Sequence, residues 1–120
     1  MSKTTLVIGA SLKESRYSNF VIHRLVAKGH SVKAFGIKKG VVSGISIDTN
    51  LKKYSKINTV TMYLSPINQK NFYNYICSLH PKRVIFNPGT ENKEFIHILN
   101  KKQIETEIAC TLVLLSTNQY

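Results

Sequence analysis

The chain has 120 residues, 42% of them apolar and 19% charged, enough for one domain over residues 1–120 with a real core and no room for a second. Lys and Arg outnumber Asp and Glu by 17 to 6, a net charge of +11 that points to an anionic partner. No apolar stretch approaches bilayer length, no secretory signal opens the chain, and two cysteines are too few for a disulfide framework. This excludes a secreted, membrane-spanning, collagenous or zinc-ribbon protein and leaves a basic cytoplasmic one.

In chain order, Thr4 to Ile8 reads as a buried strand of a parallel sheet, a continuous apolar run that stops at Gly9. After a loop from Gly9 to Tyr17, Ser18 is expected to cap a helix over Asn19 to Lys28. Val21, Ile22, Leu25 and Val26 form its apolar face, and Gly29 ends it. Ser31 to Phe35 is a second strand. Gly36 to Ile47 reads as loop, with a short strand allowed at Ile45 to Ile47, and Leu51 to Tyr54 as a brief helix. Asn58 to Leu64 is the clearest strand. A helix over Gln69 to Leu79, a strand at Arg83 to Asn87, a helix over Asn92 to Lys102 and a strand at Glu105 to Ile108 follow, with an apolar tail from Cys110 to Leu115.

This alternation predicts an α/β Rossmann-like fold: about five parallel strands in the order 3-2-1-4-5, flanked by helices on both faces. Ligands of such sheets bind at the carboxyl ends of the strands where the order reverses. Here that crevice lies between the loop Gly9 to Ser18 and the loop Ser65 to Asn68.

The first loop is not a dinucleotide fingerprint. Only Gly9 of a G-x-G-x-x-G pattern is present, with Ser11 and Glu14 at the other two places. No acid stands between Glu14 and Asp48 to hold a ribose, and the loop after the second strand carries Lys38 and Lys39 instead. That disfavours NAD and suits a nucleotide with an extra ribose phosphate. Arg16, Tyr17 and Ser18 bring a guanidinium, a hydroxyl and free N–H groups to the positive end of a helix, an anion site.

The run Val7-Ile8-Gly9-Ala10-Ser11, then Arg16-Tyr17-Ser18-Asn19, Gly29-His30-Ser31-Val32 and Lys38, resembles the CoA-binding domain family. Pro81 to Glu91 and Ala109-Cys110-Thr111 extend the likeness over nearly the whole chain. The family consists of small stand-alone Rossmann-like proteins similar to the N-terminal domain of the succinyl-CoA synthetase α-subunit. Where it commonly has Asn-Pro-Lys after the second strand, this chain has Gly36-Ile37-Lys38. The resemblance implies coenzyme A, with its ADP part over Gly9, Ala10, Ser11 and the start of the first helix (Arg16, Tyr17, Ser18). It implies Lys38 on a phosphate, Ser65 and Pro66 beside the adenine or pantetheine, and Asn87, Pro88 and Gly89 as the far wall.

The sequence offers no convincing catalytic pair. The four histidines are scattered, and Cys77 with His80 lacks a second pair for a metal site. Cys110 reads as a small hydrophobe before it reads as a thiol nucleophile, and Glu91 as a helix-dipole partner before a general base. Tyr63, Tyr73, Tyr75 and Phe72 read as core and groove wall. The expectation is a CoA- or acyl-CoA-binding protein without evident catalysis. An NADP-type oxidoreductase or redox sensor is the alternative, and no nucleic acid, membrane or metal is expected.

Overall fold

A computed structural model gives the fold of residues 2–120. One sheet runs through it, of seven strands rather than five: β1 (Thr5–Ala10), β2 (Val32–Gly36), β3 (Gly40–Val42), β4 (Ile45–Asp48), β5 (Thr59–Met62), β6 (Arg83–Phe86) and β7 (Glu105–Ile108). The order is β3-β4-β2-β1-β5-β6-β7, parallel throughout except for β3, which pairs antiparallel with β4. The expected Rossmann-like order is therefore present, lengthened by β7 at one edge and by β3 at the other.

The extra edge strand comes from a hairpin in the segment read as loop. Val42 pairs with Ile45 across Ser43-Gly44, and both turn residues have positive φ (51° and 78°). Two such residues make the primed turn whose twist matches that of antiparallel strands.

The helices are α1 (Tyr17–Ala27), α2 (Pro66–Gln69), α3 (Tyr73–Ser78), α4 (Lys93–Lys101) and α5 (Thr111–Ser116). Strand pleating divides the core between the two faces of the sheet. Val7 and Ala34 face α1 (Val21, Ile22, Leu25) and Leu115 of α5. Leu6, Ile8, Met62 and Phe86 face Ile76 of α3 and Phe95 and Leu99 of α4. β1 is buried on both faces, as a central strand must be.

Four expectations need correction. Helix α1 starts earlier than predicted: Arg16 is its N-cap, and Ser18 lies inside the first turn, buried and not capping. The Arg16 N–H donates to the Lys13 carbonyl (3.1 Å), and the Asn19 amide donates to the Ser11 carbonyl (3.0 Å), which winds the loop into helix before Ser18 is reached. The helix ends as expected, with His30 N–H on the Leu25 carbonyl and Gly29 N–H on the Val26 carbonyl, both 3.0 Å, in the paired pattern of a left-handed stop.

The brief helix at Leu51 to Tyr54 is absent. A single helical turn is not self-supporting, and this stretch is held as an irregular strap by its side chains. Tyr54 donates to the Asp48 carboxylate, and Tyr75 Oη donates to the Lys52 carbonyl at 2.6 Å. The helix predicted over Gln69 to Leu79 begins at Pro66 and is broken by a 3-10 turn (Lys70–Phe72). Phe72 leaves helical geometry (φ −111°, ψ 0°) and sets its ring edge-on to Phe35 at 5.4 Å. The clearest predicted strand is shorter than Asn58 to Leu64, since Tyr63 and Leu64 already turn toward the crevice.

Candidate functional site

Strand order reverses between β1 and β5, and their carboxyl ends open into a cavity of about 940 Å³. Its floor is set by close backbone approaches. Gly9 (φ +94°) lies so near Tyr63 that a Cβ there would meet its backbone carbon at 3.0 Å, and the Tyr63 N–H donates to the Ile8 carbonyl at 2.9 Å. Gly36, at the end of β2, is tighter still. A Cβ would stand 2.3 Å from the Ala10 carbonyl oxygen, so a side chain at 36 cannot coexist with this loop path.

From that floor the chain climbs through Ser11, whose hydroxyl accepts the Lys13 N–H (3.1 Å), to the N-terminus of α1. The Asn19 amide fastens loop to helix. The N–H groups of Tyr17 and Ser18 precede the first carbonyl that an α-helix can offer them, no side chain caps them, and both residues line the cavity. Lys13, Arg16 and Lys38 stand around them, exposed, and no Asp or Glu lines the cavity. The two ion pairs among the described residues, Lys52–Asp48 and Arg83–Glu107, involve none of these cations. A free helix N-terminus beside three unpaired cations is chemistry suited to phosphate. The pyrophosphate and 3′-phosphate of coenzyme A fit such a donor set.

Of the twelve residues singled out from sequence, Gly9, Ala10, Ser11, Arg16, Tyr17, Ser18, Lys38 and Pro88 come together around this cavity. Ser65 and Pro66 stand just outside it, as the N-cap and first residue of α2, with Leu64 and Asn68 lining it instead. Gly89 is exposed on the next loop, its N–H held by the Glu91 carboxylate at 2.8 Å. Asn87 is buried beneath Pro88. Its amide donates to Thr61 Oγ1 (2.8 Å) and the Met62 carbonyl (2.9 Å), and its Oδ1 accepts the Thr111 N–H (2.8 Å).

Of the remaining wall, Tyr63 and Phe72 were read from sequence as core and groove wall, while Phe35, Gly36, Ile37 and Thr49 on one side and Leu64, Asn71 and Thr90 on the other were not singled out. Gln69, completely buried, joins the two loops of the second side. Its Nε2 donates to the carbonyls of Leu64 (2.9 Å) and Thr90 (2.8 Å), and its Oε1 accepts from Asn92 (3.0 Å). A lone glutamine between Asn68 and Lys70 carries no sequence signal of this role. Burial pushes the Tyr63 hydroxyl well above its ordinary range, so it stays protonated at neutral pH. Cys110 is the N-cap of α5, outside the cavity, and burial raises the Cys77 thiol. Among the described residues no cluster of His, Cys, Asp and Glu could hold a metal ion, and no helix is long and apolar enough to cross a membrane.

The fold is that of an α/β protein of the Rossmann-like class, with a cavity at the point where the strand order reverses. The chain belongs to the CoA binding domain family, whose model matches residues 3–116. It is similar to the crystal structure of a protein described as uncharacterized, at 46% identity over 100% of this chain and 99% of that one, TM-score 0.97. A hypothetical protein from Pyrococcus horikoshii OT3 shares 24% identity over 91% of this chain and 77% of its own, TM-score 0.81. Aspartate dehydrogenase from Thermotoga maritima, at 16% identity over 98% of this chain and 51% of its own, has a TM-score of 0.56. The last two likenesses are of fold alone. No curated protein matches the chain.

Proposed function

We propose that this single-domain chain binds coenzyme A, free or acylated, as a small-molecule ligand and without catalysis of its own. One observation carries the reading. In a member of the CoA binding domain family, a free helix N-terminus, three unpaired cations and no carboxylate meet at the sheet's reversal point. In this reading the pyrophosphate lies over Gly9, Ala10 and Ser11 against the N–H groups of Tyr17 and Ser18. Arg16 and Lys38 pair with phosphates, and the 3′-phosphate takes the place where a dinucleotide protein keeps a ribose-binding acid. The Ser65-Pro66 and Asn87-Pro88-Gly89 loops border the rest of the ligand.

Acyl transfer asks for an activated nucleophile with a base in reach. Cys110 stands outside the cavity and Glu91 braces its own loop, which supports binding rather than turnover. The basic surplus is assigned to capture of an anionic ligand rather than a nucleic acid, and the two free cysteines to a reducing, cytoplasmic setting. Calorimetric titration with CoA, dephospho-CoA, NADP and NAD tests this. CoA is expected to bind tightest, dephospho-CoA more weakly and NAD hardly at all. Tighter binding of NADP than of CoA would overturn the reading in favour of an oxidoreductase or redox sensor.

A further inference from the structure

The segment that carries Lys38 is bounded by two glycines, and each lies against the loop after β1. Gly36 ends β2, and a Cβ there would stand 2.3 Å from the Ala10 carbonyl oxygen. Gly40 opens β3, and a Cβ there would stand 2.4, 2.8 and 3.1 Å from Leu12 Cδ2, Cδ1 and Cγ. The Leu12 side chain therefore rests directly on the Gly40 backbone. Gly40 pairs with Ile47 near the end of β4, so this contact sits at the carboxyl edge of the sheet. β2 and β4 lie between β1 and β3, a span of about 14 Å that the loop after β1 crosses to bring Leu12 there.

Between the two glycines, Ile37, Lys38 and Lys39 are exposed, Ile37 by 92%, so little packing of their own holds them. Their place relative to Lys13 and Arg16 is set at the two ends of the segment. The end at Gly36 belongs to the sheet, in register with Ala10. The end at Gly40 is held to the loop after β1 by one side chain. Leu12 is 40% exposed at the rim of the cavity, an apolar group outside the core, and Gly40 itself is not part of the cavity wall. Gly40 lacks the positive φ that would by itself call for glycine, so its bare Cα serves the contact with Leu12.

We propose that Leu12, seated on Gly40, is a positioning residue for ligand binding: it clasps the Lys38 segment to the loop after β1 and so sets the phosphate spacing that the site accepts. The inference rests on the CoA reading above, in which the 3′-phosphate lies at the end of β2 beside Lys38. A hydrogen bond weakens steeply once its donor drifts out of line, so a loosened clasp is felt first at that phosphate. A pyrophosphate at the N-terminus of α1 is held by the helix itself and is affected less.

The test measures CoA and dephospho-CoA affinities by calorimetry for the parent chain, Gly40→Ala, Leu12→Ala and the double variant. The nearest atoms to the added methyl of Gly40→Ala are the far end of a flexible side chain, so it should displace Leu12 and leave the urea midpoint near the parent's. Each single substitution should cut the preference for CoA over dephospho-CoA about threefold or more. Because Gly40 does not line the cavity, its effect has to pass through Leu12, and Gly40→Ala should be silent once Leu12 is alanine. A preference unchanged in both single variants, equal losses for the two ligands, or a Gly40→Ala effect that persists without Leu12 would overturn the inference and leave the CoA reading standing. A parent that bound the two ligands alike would overturn it as well, by taking the 3′-phosphate away from Lys38. A parent that bound neither would remove the CoA reading and this inference together.

Discussion

Arg16 and Lys38, the cations to which the proposed function assigns phosphates, are exposed, unpaired, and on loops whose truncation costs no core packing. Arg16→Ala and Lys38→Ala should each weaken CoA binding about tenfold or more, the worth of a charge-assisted contact of about 1.5–3 kcal/mol. Their urea midpoints should match the parent's. Unchanged affinity in both would put the phosphates elsewhere. Asn87 is the opposite case, since its side chain satisfies three buried partners and none in the cavity. Asn87→Ala strands the Thr111 N–H and the Met62 carbonyl, so it should lower stability by about 3 kcal/mol in urea denaturation. A variant of parental stability that no longer bound CoA would instead make Asn87 a ligand contact.

At the scale of elements, the two edges of the sheet have different tasks. The carboxyl edge holds loops whose cations lack partners, while the amino edge is closed by polar contacts around the turn between α1 and β2. There the Lys3 N–H donates to His30 Nδ1 (2.9 Å), and the His30 ring meets Tyr120 edge-on at 4.9 Å. The Arg83 guanidinium lies over the Tyr120 ring at 4.5 Å, and the Tyr120 hydroxyl bonds to Thr5 at the start of β1. Burial, together with the positive charges of Lys3 and Arg83, lowers the His30 pKa below its ordinary 6.5. The unfolded chain therefore takes up this proton more readily than the folded one. The contribution of His30 is complete above about pH 6.5 and is lost as pH falls through the lower native value. Urea midpoints should drop from pH 7 to pH 5, and less steeply in His30→Asn, which keeps an acceptor and cannot titrate. Identical pH profiles for the two would refute this role.

For the whole molecule, a ligand that binds only the native state adds stability by mass action. CoA at a hundred times its dissociation constant should contribute about 2.7 kcal/mol, which for a chain of this length raises Tm by about 10 °C. The shift should shrink with added salt, because the cations at the cavity mouth are exposed and screened within about 10 Å at 0.1 M. A shift that NAD matches, or that salt leaves untouched, would contradict the charge-based reading.

What the sequence determined by itself was local. Buried runs gave the strands, the apolar face of residues 21–26 gave the first helix, and the glycine turn with its missing ribose acid gave the expectation of a ligand other than NAD. The β3–β4 hairpin was not legible: Gly36 to Ile47 reads as loop, and the positive φ of Ser43 and Gly44 that makes the primed turn is seen only in the structure. Nor were the helix breaks. Phe72 leaves the helical path where its ring meets Phe35, nearly forty residues earlier in the chain. The other wall residues share that remoteness. Gly36 matters because the Ala10 carbonyl passes 2.3 Å from where its Cβ would be, and Gln69 because Leu64, Thr90 and Asn92 converge on one buried amide. Periodicity and turn chemistry are properties of neighbours in sequence. Close approach, burial and hydrogen-bond closure belong to segments that meet only once the sheet has assembled, and so only the tertiary structure could decide them.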